Sequence, residues 1–197
     1  RRTSGTPTQV QGASSGDPGG GELGAFLSYA GGLVVARNSA KRRLVWVDRT
    51  GHTTPAVPEG RAFDSVRLSP DGRQAAVGIT TATKSDLWIF DIAGGTLTPL
   101  TSAGTVRNPV WSTDGRRLLF ASTQSGPAAL WWQSADGSGP PVKAADPPHN
   151  PWWVDLAPDG AHVAYGGIYD GSFNLEALSL DGSNRATELV ASAAADG

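Results

Sequence analysis

The chain has no cysteine and no methionine among its 197 residues, and it has no excess of charge of either sign. The lack of cysteine excludes a disulfide framework but does not identify a redox compartment. No apolar run approaches the roughly 18 residues that a membrane span needs. The 16 basic and 18 acidic residues nearly balance, whereas a nucleic-acid-binding domain carries a strong basic excess. Neither a nucleic-acid partner nor a membrane contact is therefore expected from this segment.

Glycine and proline are abundant instead. The chain contains 26 glycines and 14 prolines, while charged residues make up only 17%, and this combination predicts many turns between short strands. The first 23 residues, RRTSGTPTQVQGASSGDPGGGEL, offer almost nothing to bury. Residues 1–23 are therefore predicted to form a linker, with room for an edge strand at 6–11.

One turn sequence recurs at nearly constant spacing. SPDGR at Ser69–Arg73 returns 43 residues later as STDGR at Ser112–Arg116, and after 45 more as APDGA at Ala157–Ala161. Proline pre-sets φ for the first corner of a type I turn, aspartate suits the second corner, and glycine accepts the left-handed conformation that follows. The predicted turn residues are Asp71, Gly72, Asp114, Gly115, Asp159 and Gly160.

A second feature of the sequence recurs with the same period. The third apolar stretch of each unit ends at Asp48, Asp91, Ser134 and Ser179, which lie 43, 43 and 45 residues apart. Two hairpins joined by a loop fit each unit as four antiparallel strands, which is the size of a propeller blade. The predicted fold is all-β, a β-propeller of four-stranded antiparallel blades. The predicted blades cover about residues 24–65, 66–108, 109–153 and 154–197.

The motifs within these units resemble a known family. KRRLVWVDRTG at Lys41–Gly51, DLWIFDIAGGTLTPLT at Asp86–Thr101 and NPVWSTDGRRLLFAS at Asn108–Ser122 are similar to the WD-repeat-like propellers of the TolB type. They are most similar to the propeller that follows the kinase domain in many bacterial serine/threonine protein kinases. The resemblance covers about residues 24–183. It implies a non-catalytic region that senses or binds a partner, on the extracytoplasmic (periplasmic) side of a membrane-anchored bacterial protein.

Two other functions are open. The segment could be the accessory propeller of a prolyl-oligopeptidase-type serine peptidase, or a free-standing periplasmic TolB-type protein. The flanking reading frame discriminates between them, because a kinase domain upstream or a G-x-S-x-G hydrolase downstream would be evident from its motifs.

The chain itself shows no enzyme chemistry. A protein kinase needs a Gly-rich loop, a strand lysine, an H-R-D catalytic loop and a D-F-G motif, and none of these occurs. The three histidines, His52, His149 and His162, lack the spacing of a zinc site. No metal and no cofactor is expected.

The candidate binding residues follow from the predicted topology. The Asp-Gly turns share one face of the propeller, and the longer loops share the other, where binding is more common. We expect a protein or a small polar or anionic ligand there, with Arg61 and Arg107 nearest the channel mouth. Cations further out and one tryptophan pair complete the set: Lys41, Arg42, Arg43, Lys84, Trp152 and Trp153. The other five tryptophans are predicted to pack between blades.

The repeat number predicts an incomplete ring. Four units are visible, whereas propellers of the TolB type usually have six or more blades. The chain has no initiating methionine, and TPTQV at Thr6–Val10 echoes the fourth-strand sequence TLTPL at Thr96–Leu100. We therefore expect a piece of a larger ring; the alternative is a four-bladed ring that closes on itself, with residues 9–11 pairing with the last blade. An open blade face would drive self-association.

Overall fold

A computed structural model describes residues 25–27, 33–36, 42–81, 83–169 and 172–191. The predicted linker at 1–23 and its edge strand at 6–11 lie outside these residues. The described part consists of strands and turns, without a helix. Its sixteen strands are β1 (Ala25–Leu27), β2 (Leu33–Ala36), β3 (Leu44–Val47), β4 (Thr53–Pro55), β5 (Phe63–Leu68), β6 (Gln74–Thr80), β7 (Ser85–Asp91), β8 (Thr96–Pro99), β9 (Val106–Trp111), β10 (Arg117–Ser122), β11 (Ala129–Ser134), β12 (Val142–Ala145), β13 (Trp153–Leu156), β14 (His162–Tyr169), β15 (Ser172–Ser179) and β16 (Ala186–Ala191).

The strands form four antiparallel sheets of four consecutive strands each. The sheets β1–β4, β5–β8, β9–β12 and β13–β16 are called blades 1 to 4 here. Within each blade, neighbouring strands in sequence are neighbours in the sheet, and β9 lies against both β5 and β13. The first strands of successive blades are thus adjacent, as in a propeller. The predicted fold class is confirmed.

The repeated turns have the predicted chemistry. Gly72, Gly115 and Gly160 adopt positive φ angles of 70°, 69° and 68°, which glycine tolerates because it lacks a Cβ atom. In the first of these turns the Ser69 hydroxyl donates to Asp71 Oδ1 at 2.6 Å and accepts from the backbone N–H of Gln74 at 3.0 Å.

The third turn replaces that serine with Ala157, so the hydroxyl is missing. Here the aspartate has a different partner, because Asp159 Oδ2 lies 2.8 Å from Nδ1 of His162. The backbone N–H groups of Ala161 and His162 also donate to Asp159 Oδ1. The turn therefore survives the substitution with a histidine in place of the serine.

The core lies between successive blades. Leu44 of blade 1 packs with Phe63, Val77 and Phe90 of blade 2. Further buried clusters join blade 2 to blade 3 and blade 3 to blade 4. Of the five tryptophans that were expected to pack there, Trp111 is buried, and Trp46, Trp88, Trp131 and Trp132 are half-buried.

Candidate functional site

The strand directions give each blade two different ends. The first and third strands of a blade run toward the tight Asp-Gly turns, which define the short-turn end. The loops between second and third strands and the links between blades lie at the opposite, long-loop end. The described candidate residues Arg42, Arg43, Arg61, Lys84 and Trp152 all precede a first or third strand, so they lie at the long-loop end. Lys41 is outside the described residues.

Arg42 and Arg61 contact each other through their backbones, and their side chains contact other residues of the fold. Their backbones form an isolated antiparallel bridge with N···O distances of 2.8 and 3.1 Å. The Arg42 guanidinium donates to the carbonyl of Phe63 at 2.8 Å. The Arg61 guanidinium lies 5.5 Å from the ring centre of Trp88 on β7, a cation–π distance. Both residues are half-buried. Their guanidinium groups are therefore partly occupied by contacts within the protein and are less available to a partner.

Arg43, Lys84 and Arg107 are exposed. Arg107 is the second residue of β9, the first strand of blade 3. No carboxylate of the described residues lies within 4 Å of these three cations. These three cations at the long-loop end are therefore available to bind a partner.

The two neighbouring tryptophans have rings in contact but lie on different elements. Trp152 and Trp153 are 47% and 45% exposed, and their ring centres lie 6.1 Å apart at 56°. Trp152 precedes β13, and its backbone is fixed on both sides: its N–H donates to the Gly166 carbonyl, and its own carbonyl accepts from the Asn108 side-chain amide. Trp153 belongs to β13 and meets Phe173 of β15 edge-on at 5.6 Å. Trp152 is thus at the long-loop end, while Trp153 lies on the sheet of blade 4.

The sequence interpretation missed a buried polar cluster. The Glu176 carboxylate on β15 accepts a hydrogen bond from the Tyr165 hydroxyl, and His149 Nδ1 lies 3.0 Å from the same oxygen. Glu176 and Tyr165 are buried, and His149 is about a third exposed. The cluster ties the link between blades 3 and 4 to blade 4, just before Trp152.

Aligned repeats could have revealed this cluster. Tyr165 and Glu176 are direct cross-strand partners, and the equivalent partners are Val77–Trp88 in blade 2 and Phe120–Trp131 in blade 3. A tyrosine–glutamate pair therefore stands where the other repeats place an aliphatic or aromatic pair. The cluster is visible in the sequence only as two residues that differ from their equivalents in the other repeats. A search for known motifs does not detect such a difference.

The short-turn end is lined with ionised carboxylates. Hydrogen bonds within the turns lower the pKa values of Asp48, Asp71, Asp114, Asp136, Asp159 and Asp181. The pKa of Asp181 falls to about 2, chiefly because of the Ser183 side-chain hydrogen bond. Burial lowers the pKa of the Arg67 guanidinium, and the nearby charge of Asp155 opposes that shift. The same end also carries exposed arginines, among them Arg73 and Arg116.

Two searches of the described residues gave negative findings. Those residues contain no group of three or more His, Cys, Asp or Glu side chains placed to hold a metal ion. Nor does any helix among them have the length and apolar character to cross a membrane.

Comparison with known proteins identifies relatives of this repeat. No protein-family model matches the chain. The Tol-Pal system protein TolB of Anaeromyxobacter dehalogenans (strain 2CP-C) is 30% identical over 144 residues, which cover 70% of this chain and 32% of that protein. This chain therefore spans about a third of the relative it matches.

Solved structures show the same architecture. A putative TolB from Agrobacterium tumefaciens aligns with a TM-score of 0.71 and 21% identity, over 82% of this chain and 61% of that one. TolB from Acinetobacter baumannii aligns with a TM-score of 0.71 and 14% identity, over 83% of this chain and 42% of that one. At these identities the structures establish the fold alone.

Proposed function

Because the chain is built from β-propeller blades of the TolB type and is non-catalytic, we propose that it is a module that binds a protein partner at its long-loop end. The observation that carries this proposal is the 30% identity to a protein named for the Tol-Pal system. The activity and partners of the whole protein are part of the proposal, because the chain matches only 32% of that relative.

Charge and aromatic exposure support the choice of end. Arg43, Lys84 and Arg107 are exposed, and no carboxylate of the described residues lies within 4 Å of them. Trp152 adds a large exposed ring on a backbone that is fixed on both sides. Tryptophan and arginine are enriched among residues that dominate binding energy. Cations at a rim raise the association rate for an acidic partner. The partner of this surface is therefore an acidic or polar protein segment.

The proposed location is extracytoplasmic, as a free-standing TolB-type protein or as part of a larger membrane-anchored one. The TolB relative favours the first of these. The association with a serine/threonine kinase rests on the sequence resemblance alone and is the more specific hypothesis. The parent reading frame decides between them, because a kinase domain carries its catalytic motifs in the sequence.

A pair of double variants tests the binding surface. The long-loop variant carries Lys84→Ala and Arg107→Ala. The control carries Arg73→Ala and Arg116→Ala, which removes two exposed cations from the short-turn end. Each variant is cross-linked in an extract of the source bacterium, and partners are identified by mass spectrometry. A partner that the wild type and the control capture, and the long-loop variant loses, supports the proposal. Equal capture by both variants contradicts it.

A further inference from the structure

Two opposite charges occupy the same position of neighbouring blades at the long-loop end. Asp64 is the second residue of β5 and Arg107 is the second residue of β9. Each of them precedes the glycine of its repeated turn by eight residues, and both are exposed. Because β5 and β9 lie against each other, the repeat places a carboxylate and a guanidinium on adjacent first strands.

Hydroxyl groups hold the Asp64 carboxylate in place. The Ser65 hydroxyl donates to Asp64 Oδ1 at 3.1 Å, and the Thr80 hydroxyl donates to Oδ2. Ser85 Oγ lies 3.4 Å from Oδ2. A Cβ atom at Gly78 would collide with Asp64 Oδ1, so the glycine leaves room for the carboxylate above the sheet. The hydroxyl groups fix the position of the carboxylate but do not neutralise its charge.

The strand pairing of a blade does not require this carboxylate. In blade 3 the residues at the positions of Asp64 and Ser85 are Arg107 and Ala128, by their distance from the repeated turn. Blade 3 nevertheless forms the same four-stranded sheet as blade 2. The carboxylate at this position is therefore a property of blade 2 and not of the repeat.

No basic side chain of the described residues neutralises Asp64. None of them lies within 4 Å of its carboxylate, and this includes Arg107 on the adjacent strand. The Arg42 guanidinium donates instead to a backbone carbonyl of β5 at 2.8 Å. The stem of Lys84 lies against Gly104, where its Cγ is 3.2 Å from the position that a Cβ atom would take. Both charges, on Asp64 and on Arg107, are thus exposed and not paired with each other.

We propose that Asp64 and Arg107 form one bipolar site, which binds two oppositely charged side chains of a single partner segment. Asp64 binds a lysine or arginine of that segment, and Arg107 binds an aspartate or glutamate. The inference rests on the proposed function and adds to it the charge pattern of the partner. Juxtaposed like charges are strongly unfavourable in an interface, so the site rejects a segment that carries acidic residues alone.

The spacing of the two blades predicts the spacing of the two partner residues. Sheets that face each other pack about 10 Å apart, and an extended chain advances about 3.3 Å per residue. A segment that crosses from Asp64 to Arg107 therefore presents its basic and acidic residues about three positions apart.

Selection from a library of random peptides displayed on phage tests this pattern. Peptides that the immobilised wild-type protein enriches should carry a lysine or arginine about three residues from an aspartate or glutamate. An enriched peptide is then synthesised with a fluorescent label, and fluorescence polarisation measures its Kd. Replacing the basic residue of the peptide with glutamine should weaken binding to the wild type at least about threefold. This comparison leaves the protein unaltered, so it does not depend on the folding of any variant.

Charge reversal on the protein gives the second arm. Asp64→Lys should weaken binding at least about tenfold, because it sets like charges against each other. A peptide with glutamate in place of its basic residue should recover at least about threefold of that loss. The control Asp155→Lys changes another exposed aspartate of a first strand and should stay within twofold of the wild type. Thermal melting checks that both variants are folded.

The outcomes separate this inference from the proposed function. Peptides that the Lys84→Ala, Arg107→Ala double variant fails to bind, but that Asp64→Lys binds as tightly as the wild type, overturn the inference and leave the proposed function standing. Peptides that all variants bind equally contradict both. A selection that enriches no peptide also overturns the inference, and the capture experiment in the bacterial extract then decides on the proposed function by itself.

Discussion

Tyr165 and Glu176 are cross-strand partners in blade 4, and the buried Tyr165 hydroxyl donates a hydrogen bond to the buried Glu176 carboxylate. Blades 2 and 3 have Val77–Trp88 and Phe120–Trp131 at the same place. Blade 4 alone among these three thus has a carboxylate at this position. The repeat tolerates it because Tyr165 and His149 supply hydrogen-bonding groups to the carboxylate, and a buried charge without such partners is strongly destabilising.

Replacing Glu176 tests how much this cluster stabilises blade 4. Glu176→Ala removes the shared acceptor and should lower the free energy of unfolding by about 2 kcal/mol, the typical size of a buried hydrogen bond to a charged group. Glu176→Gln keeps one oxygen and should lose about half as much. Urea denaturation measures both variants. The control is Glu188→Ala on the neighbouring strand, an exposed cross-strand partner of Glu176, which should change stability by less than about 0.5 kcal/mol. A loss in Glu188→Ala equal to that in Glu176→Ala would count against a special role of the cluster.

Restoring the serine of the third repeated turn should stabilise the protein. In the second turn the Ser112 hydroxyl accepts from the backbone N–H of Arg117 at 2.9 Å, and Ser112 is buried. Ala157 has the same place but no hydroxyl. Ala157→Ser should raise the free energy of unfolding by about 0.5 to 1 kcal/mol, the net gain of one hydrogen bond. Ser112→Ala, measured in the same urea titration, should lose a similar amount. An unchanged Ala157→Ser variant would show that the His162–Asp159 contact already replaces the serine fully.

Acid should destabilise the protein in a defined pH window. The Asp181 pKa is about 2 in the folded protein, against an ordinary value of 3.8. A carboxyl whose folded pKa is lowered contributes stability above its unfolded pKa, and that contribution is lost as pH falls through the folded pKa. The other turn aspartates shift in the same direction. The urea midpoint should therefore fall between about pH 4 and pH 2. Asp181→Asn should make the urea midpoint depend less steeply on pH between pH 4 and pH 2, and should leave its pH dependence near pH 7 unchanged. If the variant and the wild type lose stability equally steeply in that window, the Asp181 carboxylate is not a source of the acid sensitivity.

Two arginines at the long-loop end should differ in their effect on stability. Arg61 lies over the Trp88 ring, so Arg61→Ala should lower the free energy of unfolding by about 0.5 to 1 kcal/mol, the value of a partly exposed cation–π contact. Arg107 is exposed, and Arg107→Ala should be neutral within about 0.5 kcal/mol. Thermal melting of the two variants side by side measures the difference. Equal melting temperatures would show that the Trp88 contact contributes nothing.

The sequence by itself determined the repeat and therefore the fold. The turns around Gly72, Gly115 and Gly160 recur because each needs proline or a small residue, aspartate and a left-handed glycine at fixed offsets. Turn chemistry is local, so it can be read without knowing what surrounds it. The alternation of apolar residues between such turns then predicts four short antiparallel strands per unit, which is what the four sheets have.

Only the tertiary structure decided which exposed residues belong together. Trp152 and Trp153 are neighbours in sequence, but Trp152 precedes β13 at the long-loop end. Trp153 belongs to β13 and meets Phe173 of β15, a residue 20 positions further along the chain. His149 and Glu176 are 27 residues apart and meet across two elements. The guanidinium of Arg61 lies over Trp88 on another strand. Such contacts depend on how blades pack against each other, and no local pattern of residues contains that information.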